Sequence, residues 1–199
     1  MMKVRKMNKK MADSLKQKVI FGSLFLMLFS CEEATTPKPD AFLRLDYPKA
    51  EYEFFTEQNN RFKFEKNTKS EIVVDKDGAF KIDYPLMKAS VYINYRPVEN
   101  NLMLLLKDAQ KLTYNHTIKA DDIKESVFEH PEKQVYGMFY RVEGDAATNV
   151  QFYVTDSLKH FVVRTLYFYA KPNFDSIYPA TKYIENDMMT LMETLEWTN

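Results

Sequence analysis

Glycine is scarce in this 199-residue chain: Gly22, Gly78, Gly137 and Gly144 make up the whole complement. A phosphate-cradling loop needs several close glycines so that backbone N–H groups can approach the anion, and no such cluster exists. The G-x-S-x-G elbow of the serine hydrolases is also missing. Cysteine is scarcer still, with Cys31 alone, so the chain holds no internal disulfide and no multi-thiolate zinc site. The three histidines, His116, His130 and His160, show no H-E-x-x-H spacing. A metal would have to gather them from distant segments, and surface or satisfied imidazoles are the plainer reading. Asp75-x-Asp77-Gly78 resembles the start of a calcium loop but lacks the third early ligand and the closing glutamate. Flanked by apolar runs, it reads as a hairpin turn.

The formal charge of zero conceals an asymmetry. Residues 1–30 carry seven of the 28 basic residues and one of the 28 acids, leaving 21 positive against 27 negative charges in the remainder. An acidic body argues against nucleic acid as a partner, since phosphate binding needs a basic footprint.

What is present begins with that basic head. Lys3, Arg5, Lys6, Lys9, Lys10, Lys16 and Lys18 precede an unbroken apolar or small run, Val19–Phe29, and then Ser30 and Cys31. At 1.5 Å per residue the run spans roughly 16 Å as a helix, about half a bilayer core. Basic head, short apolar segment and small residue before the cut are the parts of a secretory signal. Leu28-Phe29-Ser30-Cys31 matches the pattern of a bacterial lipoprotein, apart from the bulky Phe29. An uncleaved anchor and an ordinary signal cut nearby are the competing readings.

In the lipoprotein reading residues 1–30 are the signal peptide and Cys31 is the lipidation site. Acyl chains such as palmitate contribute about 0.8 kcal/mol per buried methylene, so several of them form a lasting membrane anchor. Glu32 follows Cys31 rather than the aspartate that retains lipoproteins in the inner membrane, which points to the outer membrane. Glu32 and Glu33 together also fit export to the cell surface.

Residues 31–41, with Pro37 and Pro39, read as an extended tether reaching roughly 30 Å. Residues 42–199 are of a size for one globular domain. Its 13 Tyr and 15 Phe, counted over the whole chain, favour strands. Strand patterns cover 61–66, 71–75, 79–84, 88–96, 125–128, 134–143, 149–155 and 161–170. A helix capped by Asn100 or Asn101 runs to about His116, with Leu102, Leu105, Leu106, Ala109, Leu112 and Thr113 on one face. A second, capped by Ser176 with Pro179 in its first turn, runs to about Trp197. Its stripe is Ile177, Thr181, Ile184, Met188, Leu191 and Leu195. Residues 161–169 are apolar on both faces, a strand covered on both sides. The expected fold is α+β: an antiparallel sheet of about six strands packed with two long helices.

Other candidates have simpler explanations. Asp121-Asp122 reads as a solvated loop or a partner surface. The tyrosines of 136–140 and 167–169 serve packing, or line a ligand groove. Asp156-Ser157-Leu158 and Asp175-Ser176-Ile177 match a short O-glycosylation pattern at Ser157 and Ser176, though turn and cap roles account for both.

Two blocks carry a family resemblance. Tyr84–Ile123, opening YPLMKASVYINYRPVENN, and Lys133–Trp197, opening KQVYGMFYRVEGDAA, together with the leader, resemble the gliding-motility lipoprotein GldD family. The resemblance implies a lipid-anchored cell-envelope protein needed for gliding and tied to the type IX secretion system. Its partners would be the membrane, through lipid on Cys31, and other gliding or secretion proteins. It supplies no catalytic residues and no cofactor, so Cys31 alone maps as a site. The element order also resembles the Mog1/PsbP α/β sandwich. The implied role is a non-enzymatic assembly or structural component; the alternative is a lipoprotein that binds or hydrolyses a small molecule or glycan.

Overall fold

The computed structural model describes residues 46–75, 79–115, 120–169 and 173–198. The leader, Cys31 and the tether lie outside the described residues, as do Asp77, Gly78 and His116. Among the described residues the chain forms ten strands and two α-helices. The strands are β1 (Tyr52–Thr56), β2 (Phe62–Asn67), β3 (Glu71–Val74), β4 (Phe80–Tyr84), β5 (Ala89–Pro97), β6 (Ala120–His130), β7 (Val135–Gly144), β8 (Val150–Thr155), β9 (His160–Phe168) and β10 (Glu196–Trp197). The helices are α1 (Leu102–Tyr114) and α2 (Phe174–Glu193).

The expected α+β architecture with antiparallel sheets and two helices holds, but the strands divide into two sheets. One has seven strands in the order β3-β4-β5-β9-β8-β7-β6, and the other three in the order β1-β2-β10. β1 was not expected, and β10 comes from residues assigned above to the end of the last helix. That helix stops at Glu193, and Trp197 instead pairs with Phe62. β6 runs well beyond the expected 125–128 and takes Asp121 and Asp122 out of a loop and onto a strand.

Turn chemistry explains two of the hairpins. β4–β5 and β6–β7 are each joined by a single 3-10 turn opened by proline, Pro85–Met87 and Pro131–Lys133. In each the next residue, Lys88 or Gln134, takes a left-handed conformation (φ 49° and 54°) and donates its N–H back to the proline carbonyl. Proline fixes φ at the first position, and the left-handed residue reverses the chain. Between β3 and β4 the Asp75 N–H bonds the Ala79 carbonyl at 2.7 Å, which closes the hairpin.

Asn173 caps α2, correcting the assignment to Ser176. Its side chain accepts the Ser176 N–H, and the Ser176 hydroxyl returns a bond to the Asn173 carbonyl. The Phe174 N–H is taken by Asp145 at 2.8 Å, a carboxylate placed where the helix dipole favours it. With the helix beginning at Phe174, Pro179 falls in the second turn rather than the first. The bond its N–H would make to the Asp175 carbonyl is therefore absent.

β9 forms the centre of the large sheet. It pairs with β5 from Ala89↔Phe168 to Pro97↔His160 and with β8 from Gln151↔Thr165 to Thr155↔Phe161. As its sequence requires, it is covered on both faces. Val162 and Leu166 join Ile184, Met188 and Leu191 of α2 and Phe62 and Phe64 of β2 in the main core. On the other face Phe161 packs under Leu105 and Ala109 of α1. Each such large apolar side chain contributes about 1.5–3 kcal/mol when fully buried. Gly137 allows the close packing of β7 on β8, since a Cβ there would lie 2.0 Å from the Tyr153 carbonyl oxygen.

Candidate functional site

α1 covers only part of the outer face of the large sheet. Gln151 of β8 fastens it, donating to the Ala109 carbonyl at 3.0 Å and the Thr113 hydroxyl at 2.7 Å. Beside α1 the outward residues of β5, Tyr92, Asn94 and Arg96, stand uncovered. Between them and the helix runs a groove of about 380 Å³, with Asp108, Thr165 and Tyr167 among its walls. Tyr92 meets Tyr167 edge to face at 5.6 Å, a favoured aromatic geometry. Tyr167 therefore does line a groove. Tyr140, from the other tyrosine-rich segment, is buried at 2% exposure.

Further along the same face lies a serine–lysine–aspartate–tyrosine cluster. Strand alternation puts Lys81 and Asp83 of β4 on one side, and Ser90 of β5 is opposite Asp83. Lys81 Nζ donates to the Tyr169 hydroxyl at 2.5 Å and to Ser90 Oγ at 3.2 Å. Ser90 Oγ donates to Asp83, and Tyr169 donates to Asp83 at 3.0 Å. The hydrogen bond to Tyr169, with the Asp83 charge nearby, holds the Lys81 ammonium above its ordinary range. Burial pushes the Asp83 carboxyl up, but its bonds from Ser90 and Tyr169 outweigh this and hold it below its usual value.

A serine nucleophile activated by lysine needs a neutral amine to receive its proton. Here the lysine is held charged, Ser90 is fully buried, and its proton points to Asp83. The cluster ties β4, β5 and the end of β9 together and leaves the hydroxyl locked.

Four charged side chains are buried among the described residues; Glu57 is paired with Arg61 and Glu185 with Arg141 and Lys182, whereas Asp187 and Arg164 have no ion-pair partner. Asp187 of α2 accepts from the Tyr52 hydroxyl at 2.8 Å and from Asn67 Nδ2 at 2.8 Å, and Asn67 Nδ2 also reaches the Tyr183 hydroxyl at 2.8 Å. Burial raises the Asp187 carboxyl above its ordinary range, against these hydrogen bonds and one from Tyr84. Arg164 of β9 is fully buried. Its guanidinium lies 4.1 Å from the Phe64 ring centre, 5.7 Å from that of Phe152 and 5.8 Å from that of Phe62. Among the described residues none of its three nitrogens finds a hydrogen-bond acceptor. Burial pulls it down to about 9.

Sequence reasoning missed both, although each left a signal. Arg164 alternates with Val162 and Leu166 on the buried face. Asp187 stands one helical turn from Tyr183 and from Leu191, on the packed side of α2.

Among the described residues, those singled out from sequence serve separate structural roles. His130 ends β6. His160 Nδ1 lies 2.9 Å from the Tyr95 hydroxyl, and its ring stacks on Trp197 at 5.0 Å. Among the described residues no three metal-ligating side chains converge. Asp156 accepts the N–H groups of Leu158, Lys159 and His160, and Ser157 is left-handed at φ 66°, so that motif builds the β8–β9 turn. Ser176 is exposed in the first turn of α2. Among the described residues no helix is long and apolar enough to cross a membrane.

Comparison with known proteins adds three findings. No curated protein matches the chain. The solution structure of cyanobacterial PsbP (CyanoP) from Synechocystis sp. PCC 6803 is similar at a TM-score of 0.47 and 7% identity, over 75% of this chain and 94% of that one. The family model described as gliding motility lipoprotein GldD matches residues 32–197. By that match, which spans the whole described domain except Thr198, the chain belongs to the gliding motility lipoprotein GldD family, a family of envelope-associated proteins of gliding.

Proposed function

We propose that this protein is a non-enzymatic assembly or structural component of the gliding apparatus, anchored in the outer membrane by lipid on Cys31 and working with the type IX secretion machinery. The family match carries this reading: it begins at Glu32, directly after the cysteine that the leader marks for lipidation. The local chemistry supports it. The serine–lysine pair that most resembles a catalytic dyad holds its lysine charged and its serine buried, so it serves to cross-link three strands.

The test replaces Cys31→Ser in the native gene and follows membrane fractionation, gliding and secretion. The expected outcome is release from the membrane fraction with loss of gliding and of type IX secretion. A variant that stays membrane-bound and fully active rejects the anchor. Capture of the native protein from membranes with gliding or secretion components supports the assembly role, and recovery of none counts against it.

The groove beside α1 favours a second reading, a lipoprotein that binds a small molecule or glycan. Paired tyrosines and the polar side chains of Asn94, Arg96 and Asp108 in a concave site are the features such binding uses. Normal gliding in a Tyr92→Ala/Tyr167→Ala variant that still folds would reject it.

A further inference from the structure

The seven-stranded sheet ends in two unlike edges. β3 is four residues long, and a short edge offers little to another chain. β6 is eleven residues long and pairs on one side only, with β7. After a bulge between Ala120 and Asp122 its register is unbroken from Ile123 to His130. Among the described residues nothing pairs with its outer side, and Val127 near its middle is 69% exposed. Such an edge presents a row of backbone donors and acceptors that an added strand can satisfy.

Charge selects the occupant. β6 carries Asp121, Asp122, Glu125 and Glu129 against a single lysine, Lys124, which is already paired with Glu143. Glu125, Val127 and Glu129 share one face of the strand. A second copy of this chain is a poor fit. Antiparallel self-pairing centred on Ile123, Glu125 or Val127 opposes acids drawn from Asp121, Glu125 and Glu129, and centring on Lys124 opposes that lysine to itself, so that of the registers centred on residues 123–127 only the one on Ser126 is free of like-charge pairs. Like charges directly opposed destabilise a strand pair, whereas opposite charges contribute.

We propose that the outer edge of β6 is a docking site for an extended lysine- or arginine-rich segment of a partner protein, which adds to the large sheet as an eighth strand. The inference rests on the sheet edge and its charge, and is independent of the lipid anchor.

The test uses full-length protein in detergent and a fluorescent ten-residue peptide of alternating lysine and valine. Its companions are the same peptide N-methylated at alternate amides and an alternating glutamate–valine peptide. The expected result is salt-sensitive binding of the first peptide alone, with amide exchange slowed along residues 120–130. The variant Asp121→Lys/Asp122→Lys/Glu129→Lys, which keeps its fold by circular dichroism, weakens that binding about tenfold, as three cross-strand charge pairs would. Equal binding of the N-methylated peptide, unchanged exchange in β6, unaltered affinity in the charge-reversed variant, or no binding at all would each overturn the proposal. So would concentration-dependent self-association through β6.

Discussion

Asp187 and Arg164 are both charged, both withdrawn from water and both packed against β2, yet they are stabilised in opposite ways. Asp187 is held by directed hydrogen bonds from Tyr52 and Asn67 that tie α2 to the small sheet. Arg164 is held by the faces of Phe62, Phe64 and Phe152, an attraction with little directionality. A directed network is expensive to break, because each lost donor strands a buried acceptor. An aromatic cage around a cation exchanges readily for an apolar side chain of similar shape, because the cost of desolvating the charge disappears with the charge. The first works as a specific joint between elements, and the second as a filler of the core.

The strongest way to break this contrast is Asn67→Leu, which leaves one Asp187 oxygen and the Tyr183 hydroxyl without their shared donor. The unfolding free energy should fall by about 2–3 kcal/mol, read as a lower midpoint in urea. A loss below about 0.5 kcal/mol would mean that the joint is not specific. Next is Arg164→Met, which should raise stability by about 1–2 kcal/mol. Arg164→Lys should lose stability, since an ammonium cannot stack as a guanidinium does. A marked loss with methionine would show that Arg164 has a hydrogen-bond partner and belongs with Asp187 after all.

The contrast can also be sharpened through the pH dependence. The folded state raises the Asp187 carboxyl above its ordinary 3.8, so it binds its proton more tightly than the unfolded chain does. Relative to Asp187→Asn, the wild type is most stable below that value and loses ground as pH rises through the window above it. Arg164, lowered to about 9 from 12.5, gives the opposite slope. Relative to Arg164→Met, the wild type gains as pH climbs from about 9. Paired unfolding curves across both windows check the signs, and equal slopes would erase the contrast.

Long periodic segments made most of the fold legible. The patterns of β7, β8, β9 and α1 are strong enough to survive reading from sequence alone. β1 and β10 were not legible because each exists only through pairing with β2, and β10 is a two-residue strand hidden behind a helical pattern. The ends of β6 were obscured because an edge strand exposed to water loses its alternation. The core charges left weak signals, since the alternation that sets Arg164 beside Val162 and Leu166 does not by itself show that a charge is buried. The serine–lysine cluster joins residues from three strands and had no local trace. Leu112, placed on the buried face of α1, proved to be 36% exposed, because the helix covers only part of the sheet beneath it.

The position of β9 bears on how the protein is made. The large sheet is two halves, β3–β5 and β6–β8, and the strand that joins them is the last of the seven to be synthesised. Until residue 168 has emerged, neither half has its central neighbour, and β2 lacks β10 until residue 197. A chain synthesised from its N-terminus therefore lacks the central pairings of its large sheet for nearly its whole length. Its most distant pairings then close last, as the slow, non-local step of folding.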